Sequence, residues 1–185
     1  MVIVFIRGET EVSVRACWYI VPHFFRYSGA AWIKSARWYN WRVKHVVKGI
    51  EDMNGVAAMF AEQLTPKEKG ATIVTLSGSL GAGKTAFARA LARAFGIDED
   101  VTSPTYVIEK IYMPAKGVFS RFIHIDAYRL NGAHDLDVLG WRELIQESGN
   151  LIILEWPEKV DGAIPKDALK IELEFVDEQT RKIIW

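Results

Sequence analysis

ATIVTLSGSLGAGKTAFARALARAF, residues 71–95 of a 185-residue chain, is the stretch that decides the fold. Its opening, Ala71–Leu76, is rich in β-branched residues and predicts a short buried strand. Its second half, Thr85–Phe95, predicts a helix, because large apolar residues recur at every fourth position. Between the two, Gly78–Thr85 matches the pattern G-x-x-x-x-G-K-[ST]. This pattern indicates a phosphate-binding loop when a strand precedes it and a helix follows it, and both are predicted here.

Each fixed position of this loop has a chemical reason. Glycines permit positive φ, so that successive backbone N–H groups turn inward around a phosphate, and the helix N-terminus adds partial positive charge. Lys84 is expected to reach the β- and γ-phosphates, and the Thr85 hydroxyl is placed to bind Mg²⁺. We therefore predict a nucleotide-phosphate site made of eight residues: Ser79, Leu80, Gly81, Ala82, Gly83, Lys84, Thr85 and Ala86.

Two carboxylates follow hydrophobic runs that predict strands. Asp126 ends the run Phe122–Ile125, and Glu155 ends the run Leu151–Leu154. Acidic groups at the carboxyl ends of such strands face the crevice where ligands bind in open α/β sheets. One of them can hold the metal, while the other orients or deprotonates the attacking water; the sequence does not assign the roles. His124 alternates with Asp126, and a packed or hydrogen-bonded histidine is favoured there over a metal ligand.

Hydroxyl and guanidinium groups near these acids have two interpretations each. Ser103 and Thr105 flank Pro104 in a loop, where they either sense a γ-phosphate or serve as ordinary turn residues. Arg129 either stabilises charge at the site or pairs with a structural carboxylate.

The remaining periodicity predicts alternating helices and strands. Two pairs of strands are separated by short turns and predict antiparallel hairpins rather than parallel crossovers. The predicted elements are a helix at Met53–Leu64, a hairpin at Tyr106–Met113 and Phe119–Ile125, a helix at Leu136–Glu147, a strand at Leu151–Leu154, and a hairpin at Ala168–Phe175 and Lys182–Trp185.

Composition limits the function classes. The chain has half of its residues hydrophobic and a quarter charged, which indicates a globular domain rather than a disordered chain. The apolar runs are too short for a membrane-spanning helix. Cys17 is the only cysteine, which excludes a disulfide framework and a cysteine-based zinc site and favours a cytoplasmic location.

The net charge of zero conceals a basic segment at the start of the chain. Residues 1–45 hold seven Lys/Arg and two Asp/Glu, a charge of +5, so that the remainder carries −5. We expect residues 1–45 to be an N-terminal extension and residues 46–185 to be the catalytic domain. Three interpretations of the extension stay open. It is a spurious upstream translation, with the true start near Met53 or at a non-ATG codon slightly earlier; or a lineage-specific addition that packs on the body or a partner; or a segment that binds tRNA or another anion through its basic and aromatic residues.

Four motifs resemble one known family. GSLGAGKT at Gly78–Thr85, SPT at Ser103–Thr105, HIDAYRL at His124–Leu130 and LEWPE at Leu154–Glu158 follow in this order. Together they resemble the TsaE family, the small bacterial ATPases needed for tRNA threonylcarbamoyladenosine (t6A) synthesis. The likeness runs from about Val46 to the end of the chain.

The resemblance implies a fold, a reaction and partners. It implies an α/β fold, a P-loop NTPase-like mixed sheet with antiparallel hairpins flanked by helices. It also implies hydrolysis of ATP with Mg²⁺, in a complex with TsaB-like and TsaD-like proteins, where the ATPase resets the synthase and contacts tRNA only indirectly.

The resemblance also assigns site residues by position. Lys84 contacts phosphate and Thr85 binds Mg²⁺, while Glu155 corresponds to the acid on the metal side and Asp126 to the other essential acid. Thr105 belongs to a switch-like segment, and Trp156 lies beside the glutamate of the nucleotide site. Ser79 departs from the family pattern, because an acidic residue is expected there. The adenine contacts are not assigned beyond the expectation that they lie around Gly49–Asn54.

Two other classes compete with this interpretation. A small-molecule P-loop kinase usually carries an arginine-rich lid, and the segment 136–150 lacks one. A GTP-dependent switch usually carries an N-K-x-D or T-K-x-D tetrad, which the sequence lacks.

Overall fold

A computed structural model of the protein describes residues 43–98 and 108–185. These residues form seven strands and four helices: β1 (Lys44–Lys48), α1 (Gly49–Ala61), β2 (Thr72–Ser77), α2 (Lys84–Ala94), β3 (Glu109–Tyr112), β4 (Arg121–Asp126), α3 (Ala133–Val138), α4 (Trp141–Leu144), β5 (Asn150–Glu155), β6 (Leu169–Phe175) and β7 (Thr180–Ile184). Two short 3-10 turns, at Ala127–Arg129 and Pro157–Lys159, follow β4 and β5.

The strands build one mixed sheet in the order β1-β7-β6-β2-β5-β4-β3. The four central strands, β6, β2, β5 and β4, run parallel, while β3 pairs with β4, β7 with β6 and β1 with β7 in antiparallel fashion. Both predicted hairpins are present, and the predicted fold class, a P-loop-like mixed sheet with antiparallel hairpins flanked by helices, is confirmed. Every residue of β5 is buried, as expected for a strand covered on both faces.

Each face of the sheet has its own apolar core. On one face, side chains of α1 and α2 such as Phe60, Phe87 and Leu91 pack against alternate residues of the central strands. On the other face, Leu136 of α3 and Trp141 of α4 pack against the intervening residues. Side chains alternate between the two faces along a strand. A residue at the carboxyl end of β4 or β5 therefore lies on the same face as a core residue of its strand when an even number of positions separates them.

The sequence-based element prediction was wrong in one helix. Residues 136–147 form parts of two short helices, α3 and α4, rather than the single helix expected. Gly140 separates the two helices with a left-handed φ of 74°, a conformation that a continuous right-handed helix does not admit.

The first strand was not predicted. β1 pairs with β7 along its whole length, and two backbone hydrogen bonds between Val43 and Trp185 extend the pairing. The following helix begins at Gly49, before the predicted start at Met53. Within residues 43–98 and 108–185, no helix combines the length and the apolar character that crossing a membrane requires.

Candidate nucleotide-binding site

The glycine-rich loop lies between the end of β2 and the start of α2. Gly78, Gly81 and Gly83 all adopt positive φ, with values of 140°, 78° and 99°. Gly78 also approaches the neighbouring strand so closely that a Cβ atom there would lie 2.2 Å from the carbonyl oxygen of Leu173. The loop therefore packs against β6, and α2 begins directly after it, so that the N-terminus of the helix faces the loop.

Lys84 folds back over this loop. Its ammonium donates hydrogen bonds to the carbonyl oxygens of Gly78 at 2.7 Å and Ser79 at 2.9 Å. It also lies 3.6 Å from the ring centroid of Trp156, within the range of a cation–π contact. The residue is only 5% exposed. Its ammonium is therefore bound by neutral carbonyl acceptors rather than by water, and a bound anion can replace these acceptors.

Burial lowers the pKa of the Lys84 ammonium below its ordinary value, since desolvation disfavours the charged form. Three carboxylates act in the opposite direction and raise this pKa: Glu155, Glu158 and Asp126. The two acids predicted from the sequence therefore share one electrostatic environment with the lysine.

The carboxylate of Glu155 is held from two sides. The Thr85 hydroxyl donates to its Oε2 at 3.0 Å, and Nε2 of His124 lies 2.8 Å from its Oε1. Glu155 is 1% exposed and His124 is fully buried. The hydrogen-bonded histidine that the sequence favoured is therefore present, and it contacts the acid at the end of the neighbouring strand.

Asp126 lies directly beside Glu155, because the two residues are register partners in the parallel pair β4–β5. Its Oδ1 accepts a hydrogen bond from the backbone N–H of Tyr128 at 3.0 Å, which caps the 3-10 turn after β4. Asp126 is less deeply buried than Glu155. The site thus has an inner carboxylate bonded to Thr85 and an outer one at the turn.

Aromatic rings border the same site. Trp156 has a left-handed φ of 57° and is the one residue other than glycine with positive φ in the ranges 43–98 and 108–185. The ring of Tyr128 lies 5.0 Å from that of Trp156. Leu80, at the tip of the loop, is 77% exposed, while Ala82 is fully buried. The predicted Ser103–Thr105 segment, including Thr105, lies outside the residues that the structure describes.

A cleft of about 250 Å³ opens beside the loop. Gly83 and Ala86 form its wall on the loop side, and Gly49, Ile50 and Met53 form the wall on the side of α1. These three belong to the segment expected to contact the base. The wall from the β6–β7 turn and β7, with Glu178, Gln179 and Arg181, was not expected, because no sequence motif marks that turn.

The donor set near Thr85 suits a hard divalent cation. Mg²⁺ prefers oxygen ligands and usually keeps several waters, so that one or two carboxylates besides the phosphates suffice. A hydroxyl at 3.0 Å from a buried carboxylate provides two such oxygens, and Asp126 lies beside them. Among the described residues there is no cluster of three or more His, Cys, Asp or Glu side chains arranged around a metal position. The residues fit Mg²⁺ bound together with phosphate better than a cage made by protein alone.

Comparison with known proteins identifies one family that matches most of the chain. Residues 47–183 match the family model described as "Threonylcarbamoyl adenosine biosynthesis protein TsaE". A protein from Rickettsia prowazekii named "tRNA threonylcarbamoyladenosine biosynthesis protein TsaE" is 31% identical over 138 residues, which cover 74% of this chain and 90% of that protein. A protein of the same name from Mycobacterium leprae is 32% identical over 135 residues, covering 71% of this chain and 81% of that protein.

A solved structure has the same fold. YdiB from Bacillus subtilis superposes with a TM-score of 0.61 and 27% sequence identity, covering 77% of this chain and 83% of that chain. Because the superposed part covers 77% of this chain, the likeness is not limited to the loop.

Proposed function

Because the chain belongs to the TsaE family of tRNA threonylcarbamoyladenosine biosynthesis proteins, we propose that it is the Mg²⁺-dependent ATPase subunit of that machinery. The family expected from its four sequence motifs is confirmed. In our proposal, the protein hydrolyses ATP to support turnover of a synthase made of TsaB-like and TsaD-like proteins.

The observation that carries the ATPase proposal is the meeting of Lys84, Thr85 and Glu155 at one strand end. The Lys84 ammonium lies on two carbonyl groups of the loop, and phosphate oxygens are better acceptors for it because they are charged. Upon binding, the lysine exchanges these contacts for the β- and γ-phosphates, while the loop N–H groups surround the anion. These contacts stabilise the charge that develops on the transferred phosphoryl group.

Thr85 and Glu155 are the residues that would hold Mg²⁺, with Asp126 beside them. The metal supplies charge neutralisation for the phosphate oxygens. Asp126 is at the edge of the site and less buried, so we assign it to orient or deprotonate the attacking water, and Glu155 to the metal side.

The cleft beside Gly83 is proposed to take the nucleoside. It begins where the phosphate site ends, and its wall at Ile50 and Met53 provides apolar surface for a base. Gln179 of the opposite wall offers amide groups that can both donate and accept hydrogen bonds. ATP is preferred over GTP in our proposal because the sequence lacks a guanine-recognition tetrad.

The partners and the location are proposed on the family's role. A TsaB-like and a TsaD-like protein are the proposed partners, and tRNA is reached through them. We keep the proposal of an N-terminal extension at residues 1–45 before an ATPase domain at residues 46–185, although β1 of the sheet begins two residues before that boundary, at Lys44. Contact with RNA is one of the three interpretations of the extension, and residues 1–42 lie outside the described part of the chain. The cytoplasmic location stays a prediction from the single cysteine.

The test is ATP hydrolysis by the full chain, alone and with the cognate TsaB–TsaD pair. Wild-type turnover is expected to be slow alone and stimulated by the pair, while Lys84→Ala is inactive under both conditions. Lys67→Ala is the matched control, since Lys67 pairs with Asp167 at 2.8 Å, away from the loop. Full hydrolysis by Lys84→Ala would contradict the assignment of the site. Stoichiometric phosphoryl transfer to a small acceptor would support the kinase alternative instead.

A further inference from the structure

His124 is a fully buried polar residue that the reaction outlined above does not use. It lies on β4, two residues before Asp126, and its Nε2 is 2.8 Å from Oε1 of Glu155 on the neighbouring strand. The register pairs His124 with Ile153, so that the ring reaches diagonally to the last residue of β5. The contact therefore joins β4 and β5, two central strands of the sheet, near their carboxyl ends, where the candidate site lies.

The role proposed for Glu155 fixes the direction of the hydrogen bond. A carboxylate that binds a metal is ionised and only accepts, so Nε2 carries the hydrogen and donates the hydrogen bond to Glu155. Nδ1 is buried with no hydrogen-bond partner among the described residues, which agrees with the tautomer that has no proton on Nδ1. Burial of a polar ring with one nitrogen unpaired costs free energy. The presence of such a ring beside Glu155 therefore calls for a functional explanation.

The two contacts of Glu155 divide its oxygens between different tasks. His124 holds Oε1 from the interior, and Thr85 touches Oε2 on the side of the loop. With Oε1 occupied, rotation of the carboxylate is restrained and Oε2 stays directed at the Thr85 hydroxyl. A ligand whose orientation is fixed by a partner behind it binds a metal better than one that rotates freely.

We propose that His124 is a positioning residue, which donates a hydrogen bond from Nε2–H to Glu155 and so presents the carboxylate, together with Thr85, to the Mg²⁺ of a bound Mg–ATP complex. The proposal rests on the proposed function, because it assigns His124 a role toward the same metal. His124 contacts neither nucleotide nor metal in this arrangement, and it acts only through Glu155.

The test compares two replacements of the buried ring in the full chain. His124→Gln places an amide donor near the position of Nε2, whereas His124→Met fills the space with an apolar side chain that cannot donate. Binding of ATP is measured by calorimetry across a series of Mg²⁺ concentrations and again in excess EDTA, and thermal unfolding reports on the fold. His124→Asn, whose shorter amide lies near the position of Nδ1, is the second variant without the contact if the methionine variant does not fold.

We expect His124→Met to raise the Mg²⁺ concentration at half-maximal binding by about tenfold or more, in line with the usual effect of removing the partner of a metal ligand. ATP affinity in EDTA should be unchanged, and His124→Gln should restore the Mg²⁺ dependence to within about threefold of wild type. An unaltered Mg²⁺ dependence in His124→Met, or equal losses in Met and Gln variants, would overturn the positioning role alone. Wild-type binding of ATP that is indifferent to Mg²⁺ would overturn the proposed function as well.

Discussion

Gly78 and Gly81 provide a matched test of how the loop is built. Both are motif-region glycines with positive φ, at 140° and 78°. They differ in their surroundings, because a Cβ at Gly78 would lie 2.2 Å from the carbonyl oxygen of Leu173, whereas a Cβ at Gly81 has no atom within 4 Å. An alanine at Gly78 therefore meets backbone that cannot move away as a flexible side chain would.

The expected destabilisation follows from these two terms. A positive φ costs an alanine roughly 1–2 kcal/mol, and forcing an extra methyl group into a packed region adds roughly 1–3 kcal/mol. Gly81→Ala bears only the first cost, so we expect a loss of about 1–2 kcal/mol. Gly78→Ala bears both, and the loss should be about 2–5 kcal/mol. The clash with β6, together with a φ of 140° that lies farther from the left-handed helical region than 78°, separates the two variants, and it should also displace the carbonyl oxygen of Gly78 that accepts from Lys84.

Urea unfolding of both variants against wild type measures the two losses, with Gly55→Ala as a third chain. Gly55 is inside α1, has no positive φ and has open space around its Cβ position, so alanine there should stabilise by roughly 0.5–1 kcal/mol. ATP binding should weaken more in Gly78→Ala than in Gly81→Ala. Equal destabilisation by the two loop substitutions would refute the reasoning, since it would mean that the loop is not seated on β6.

Three further predictions concern the cleft, a turn and the first strand. Ile50→Glu should weaken ATP binding about tenfold but leave inorganic tripolyphosphate binding unchanged, whereas Val138→Glu, an equally drastic change of an exposed residue on α3, should affect neither. Hydrogen bonds from backbone N–H groups lower the pKa of Asp177 below its ordinary value, so its stabilisation is present above pH about 3.8 and is lost as the pH falls through the lowered pKa. Asp177→Ala should therefore unfold at lower urea than wild type at pH 7, by a margin that shrinks as the pH falls below about 3.8. Asp177→Asn, which keeps an acceptor without a charge, should depend less on pH than wild type over the same range. A chain that starts at Met53 lacks β1 and the first turn of α1. It should be less stable than a chain that starts at Arg42 by more than about 2 kcal/mol, because burial of Val47 in β1 alone contributes roughly 1.5–3 kcal/mol. Equal thermal midpoints of the two chains would contradict this prediction.

Most of the fold could be predicted from local signals. The strand, loop and helix around Gly78–Thr85 each have their own residue pattern, and the two hairpins follow from connections too short for a crossover. The break at Gly140 was missed because a glycine within an apolar period is tolerated in many helices, and only packing of α3 and α4 on the sheet decides the outcome. β1 was missed because Lys44–Lys48 is a short edge strand, and such a strand is defined by its partner β7 rather than by its own composition.

The sequence predicts which residues belong to the candidate site, but not which of them are in contact. The motif predicts Lys84 and Thr85, and the strand ends predict Asp126 and Glu155. No local pattern predicts that His124 reaches Glu155, because 31 residues separate the two in sequence and only the parallel pairing of β4 with β5 brings them together. The same holds for the cleft wall contributed by the β6–β7 turn.

The backbone after β5 explains how two consecutive residues serve one site. Neighbouring side chains on a strand point to opposite faces, so the residue after Glu155 would ordinarily face away from the loop. Trp156 leaves the strand with a φ of 57°, and the Lys84 ammonium lies 3.6 Å from the centroid of its indole ring, while the residue also packs against the core on the face of α3 and α4. A left-handed conformation costs a residue other than glycine roughly 1–3 kcal/mol, and such strain persists where the surroundings fix it. The strained conformation of Trp156 therefore allows two consecutive residues, the proposed metal-side carboxylate of Glu155 and the indole over the Lys84 ammonium, to line the same site.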